Sequence, residues 1–129
     1  MNKFSTTVLC MLMLGLTACS EASHEVVIPV QHWKDIDVRV ETHPNPPVAG
    51  MTEVVAIVTG PHGRPVGDMV ISIRGNDSMP WVQTIQDGRI GVYRRAVDLG
   101  DVGAMKLEVH LQQGDKEKIM LFPLTLVAG

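Results

Sequence analysis

The feature that most constrains this chain is strict alternation of apolar and polar residues. In Ala104–Gln112, Met105, Leu107, Val109 and Leu111 take the odd positions, and Lys106, Glu108, His110 and Gln112 take the even ones. Successive side chains of a strand point to opposite faces, so such a stretch buries one face and wets the other. On a helix the same residues would be scattered around the whole circumference. The period recurs in Asp35–Glu41, where Ile36, Val38 and Val40 oppose Asp37, Arg39 and Glu41. It recurs again in Met69–Arg74, where Met69, Ile71 and Ile73 oppose Val70, Ser72 and Arg74. Thr52–Thr59 is rich in β-branched residues and reads as a central strand.

Breakers separate these stretches. Pro44, Pro46 and Pro47 lie in Thr42–Gly50, and Gly60, Pro61, Gly63, Pro65 and Gly67 lie in Gly60–Asp68. Gly75–Pro80, Gly100–Gly103 and Gln113–Asp115 read as turns, and Asp87-Gly88 carries a hairpin signal. Between them Trp81–Gln86, Ile90–Leu99 and Lys116–Val127 read as further strands. Within the last, Ile119–Phe122 is expected to be buried on both sides, and Pro123 marks a bulge or a sheet edge. A chain of 129 residues has room for one such domain. The expected fold is all-β, an antiparallel immunoglobulin-like sandwich of about six to seven strands. Aromatic residues make up only 4% of the chain, so Val, Ile, Leu and Met must fill the core, Met69, Met105 and Met120 among them.

The first residues resemble an export signal. Lys3 precedes a short apolar run, Val8–Leu16, that cannot span a bilayer as a helix. Leu16-Thr17-Ala18-Cys19 then resembles the lipobox of bacterial lipoproteins. That resemblance implies cleavage before Cys19 and acylation of Cys19, with more than one acyl chain for firm anchoring. The expected organisation is a signal peptide over 1–18, a lipidated tether over 19–33 and the sandwich over 34–129. Cys10 leaves with the signal, so the exported domain has no thiol for redox chemistry or zinc. Ser20 after the cysteine resembles the signal for outer-membrane delivery in Gram-negative lipoproteins. The expected location is the cell envelope: the periplasmic face of the outer membrane, or the exterior face of the plasma membrane in a single-membrane cell.

The formal net charge is −3, with no basic cluster, which argues against a nucleic-acid partner. No nucleophile elbow, metalloprotease His-Glu pair or phosphate-cradling glycine loop is present, and no catalysis is expected. Trp33 and Trp81 are candidate partner contacts, and each has a structural reading as well: Trp81 as a core anchor, Trp33 as a plug for the open edge. Tyr93 is expected to bond its hydroxyl to nearby backbone.

Six short stretches occur in the order seen in YtkA-like and FixH-like envelope domains. They are Pro47–Gly50, Val54–Val58, Gly63–Val66, Met79-Pro80, Gly91–Tyr93 and Leu107–Val109. The chain resembles that group over about residues 35–127. The resemblance implies a small membrane-anchored extracytoplasmic β-sandwich, a non-catalytic accessory module that assists a membrane complex. Some FixH-like relatives are associated with cytochrome oxidase assembly and copper supply, so a copper-binding chaperone-like module is the alternative. Many members carry a Met/His-rich loop after the central strands; here that loop keeps Met79 and has no histidine. Imidazoles and thioethers suit copper, and His43, His62 and Met79 are the candidate ligands.

Overall fold

The computed structural model describes residues 26–129. The leader, the lipobox and Cys19 lie outside the described residues. Among the described residues, nine strand segments form two antiparallel sheets. The first sheet has β1 (Gln31–Trp33), β2 (Ile36–His43), β3 (Met51–Thr59), β7 (Val92–Asp98) and β6 (Ile85–Gln86), in the order β1-β2-β3-β7-β6. The second has β5 (Val82–Gln83), β4 (Val70–Arg74), β8 (Gly103–Gln113) and β9 (Lys116–Leu126), in the order β5-β4-β8-β9. The expected sandwich is therefore what the chain forms.

Alternation sets the interior. Val38, Val40, Val54 and Val58 of the first sheet face Ile71, Ile73, Leu107, Val109, Leu111 and Phe122 of the second, all buried. Period two makes this possible: every second side chain of each strand reaches the same dry layer. Met69 and Met120 are buried there, and Met105 packs against it, as their strand positions predict.

Two features raise the strand number above six or seven. First, the segment 82–86 is split. Val82 and Gln83 pair with β4, whereas Ile85 and Gln86 pair with β7. The switch occurs at Thr84, which is buried and sends both its backbone N–H and its hydroxyl to the Ile71 carbonyl, each at 2.8 Å. This segment closes one side of the sandwich. Second, residues read as tether belong to the fold. Gln31–Trp33 pairs with β2, and Ile28 is buried in the core. Gln31 also donates from Nε2 to the Leu121 carbonyl of β9 at 2.6 Å, which ties the two sheets on the opposite side.

The last strand differs from expectation. Ile119 and Leu121 are exposed while Met120 and Phe122 are buried, so the run is not covered on both faces. The reason is that the fold has two layers, so the outer face of β9 has no third layer over it. Pro123 marks that edge, as its missing N–H requires.

The strands run between two ends. The near end carries loops 44–50, 75–81 and 99–102 and the stretch after β9. The far end carries residues 34–35, 60–69, 87–91 and 114–115.

Candidate functional site

The outer face of the second sheet presents an organised polar and aromatic cluster. Its rows follow from register: Arg74 lies opposite Glu108, Ser72 opposite His110, His110 opposite Ile119 and Glu108 opposite Leu121. These residues alternate with the core positions, so all face outward. Arg74 donates to both carboxylate oxygens of Glu108, Nε at 3.0 Å and Nη2 at 3.2 Å. Side-chain exposure of 19% and 16% places this pair well below a surface ion pair, so the forked geometry is held rigidly. The same guanidinium covers the Trp81 ring, with its central carbon 4.2 Å from the ring centroid. The His110 ring lies tilted against Trp81, centroids 5.5 Å apart, and its Nε2 stands 3.1 Å from Glu117 Oε2.

Trp81 is therefore neither a core residue nor a loop-tip aromatic. It is a half-buried ring lying on a sheet face, clamped by Arg74. Beside it the outer face of β9 leaves Ile119 and Leu121 uncovered, 50% and 46% exposed. A flat apolar strip flanked by a rigid cation–carboxylate pair is a surface suited to protein contact. Alternation alone puts His110 on the wetted face of its strand, yet the ring is half-buried. Its burial depends on Trp81, a neighbour 29 positions away that no local pattern reveals. Glu108 and Arg74 were also missed as a pair, because only strand register brings them opposite.

Trp33 serves the structural reading. It is half-buried in β1, packs against the core cluster, and has the Lys34 ammonium 5.0 Å from its ring centroid. Partial desolvation lowers the Lys34 pKa, with the neighbouring Lys116 adding to that effect.

The three copper candidates are not brought together. His43 ends β2 and lines a shallow depression with Val26, Val27 and Asn45. Met79 lines a different depression with Asn76, Asp77, Asp98 and Asp101. His62 stands in the turn Pro61–Gly63 at the far end, separated by the length of β3, roughly 30 Å. Among the described residues no group of three or more His, Cys, Asp or Glu side chains is placed to hold a metal ion.

Tyr93 behaves as expected of a corner tyrosine. Its hydroxyl donates to the Val66 carbonyl at 2.8 Å and accepts from the Met69 N–H at 3.3 Å. Burial raises its pKa; the Met69 bond pulls the other way, and the nearby Asp68 carboxylate adds to the rise.

Comparison with protein-family models, with curated proteins and with solved structures gives no match, so the likeness established for this chain is that of its fold class.

Proposed function

We propose that the protein is a lipid-anchored, non-catalytic binding module of the cell envelope, which docks a protein partner through the outer face of its second sheet. The observation that carries this reading is the Trp81–Arg74–Glu108 arrangement beside uncovered Ile119 and Leu121. An aromatic ring immobilised before binding loses little side-chain entropy when a partner covers it. The lipobox-like Leu16-Thr17-Ala18-Cys19 supports the anchor. The accessory role within a membrane complex rests on the family resemblance.

A photo-crosslinking amino acid at Ile119 tests the reading in cells, with the same group at Asp115, in the turn before β9 and off the sheet face, as a control. The expected outcome is a discrete adduct from position 119 that Trp81→Ala abolishes and position 115 does not give. Equal adducts from both positions, or an adduct indifferent to Trp81→Ala, would sink the docking surface. Trp81→Phe should retain part of the adduct, because the Arg74 guanidinium still has a ring to cover.

A further inference from the structure

We infer that the near end of the sandwich rests on the lipid surface, a second membrane contact beyond the acyl chains. The inference rests on the proposed anchor at Cys19 and adds an orientation to it. The first described residue, Val26, is fastened to that end by two reciprocal bonds. Its N–H donates to Asn45 Oδ1 at 3.0 Å, and Asn45 Nδ2 donates back to its carbonyl at 3.1 Å.

Chain length then limits the pose. Cys19 and Val26 are separated by seven peptide steps, a reach of at most about 25 Å. The sandwich is longer: β8 and β9 each have 11 residues, about 36 Å. A domain standing on its far end would lift Val26 farther from the lipid than the tether can follow. Only an upright pose on the near end, or a pose lying on its side, is within reach.

The sides expose Ile85, Ile119 and Leu121, the last two on the face proposed for a partner, whereas the near end gathers its exposed apolar residues on loop tips and strand ends. Val27, Met51, Val102 and Val127 are 86%, 63%, 62% and 40% exposed, and all lie at the near end. Their loops are bonded into one platform: Gly50 N–H donates to the Gly100 carbonyl at 2.8 Å, Ala49 N–H to the Val127 carbonyl at 2.9 Å. Four apolar tips on a fixed platform can enter the headgroup boundary together, and the tether raises their effective concentration at the surface. Asp77, Asp98 and Asp101 line the depression between the loops, with Lys106 the one cation there. That charge favours a zwitterionic surface over an anionic one. In this pose the far end with His62 is presented to solvent, and the Trp81 face stands perpendicular to the membrane, open to a partner embedded beside it.

The test uses the lipidated full-length product in vesicles of phosphatidylcholine and phosphatidylethanolamine containing a lipid-borne nitroxide. A fluorophore is placed in turn on Asp101→Cys, Ile119→Cys and His62→Cys, at the near end, the side and the far end. The expected result is quenching at 101 at least about threefold stronger than at 62, with 119 between them. Met51→Asp with Val102→Asp should reduce quenching at 101 while the protein still floats with the vesicles. Equal quenching at 101 and 62, or the strongest quenching at 119, overturns the orientation alone. A product that does not float overturns the anchor, and the orientation with it.

Discussion

The two ends of the sandwich link loop to loop by different means. At the near end, loops bond to one another through backbone: Gly50 with Leu99 and Gly100, and residues 47 and 49 with Val127; the Asn45 side chain holds Val26, and Asp98 accepts from Gly100 within one loop. At the far end, side chains do much of the fastening. Tyr93 holds Val66 and Met69, Gln86 accepts from the Gly91 N–H at 2.6 Å and donates to the Gly67 carbonyl at 3.0 Å, and Gln113 donates to Asp68 at 3.0 Å. A loop bonded by backbone cannot be released by trimming one side chain. A loop latched by a side chain can. The near end should therefore be stiff under most substitutions, and the far end should loosen one latch at a time.

The largest effect should come from a close backbone contact at the near end. Gly75 is buried, and a Cβ there would stand 2.8 Å from the Asp98 carbonyl oxygen. Gly75→Ala should cost about 2–3 kcal/mol in denaturant unfolding, since backbone must move to admit the methyl. A cost near zero would show that the platform is looser than its bonds imply.

At the far end, Tyr93→Phe removes one hydroxyl and leaves the Met69 N–H and the Val66 carbonyl each short of that partner. Stability should fall by about 1–2 kcal/mol. Hydrogen exchange should quicken at Met69 and its neighbours, with residues 49–50 unchanged. Acceleration at both ends would break the contrast.

Gln86→Ala unlatches the same loop from the other side, but one of its bonds is exposed and the other only part-buried, and about 0.5–1 kcal/mol is expected. Combined with Tyr93→Phe, the two costs should fail to add, because both residues hold one loop.

The smallest effect is one of pH. Burial lifts the Tyr93 pKa above its ordinary 10.0, so the folded state keeps the phenol proton more tightly than the unfolded chain does. The stabilisation this lends is complete below pH 10.0 and is lost as pH rises through the folded value. Tyr93→Phe should flatten that alkaline decline in a thermal unfolding series.

Much of the interior was legible in advance. Leu107, Val109 and Leu111 are buried with 0% exposure, and their period alone assigns them inward. The same rule predicts Ile71 and Ile73, and the corner bond of Tyr93 follows from its place in such sandwiches. The misreadings share a cause. Ile119–Phe122 reads as a doubly buried run because four apolar residues adjoin, yet a strand of a two-layer sandwich has only one covered face. Trp81–Gln86 reads as one strand, yet it serves two sheets across Thr84. Trp81 finds its place from Arg74 and His110, which come from two other strands.

Alternation of side chains is a local property of extended backbone, so residues along the chain could determine by themselves which groups are wet and which are dry. Which strand lies at an edge, which end a loop occupies and which outward residues become neighbours are decided by pairing between distant segments. That is why the core could be read one strand at a time. The Trp81–Arg74–Glu108–His110 surface, the separation of His62 from His43, and the end from which the tether departs exist only once the sheets are assembled.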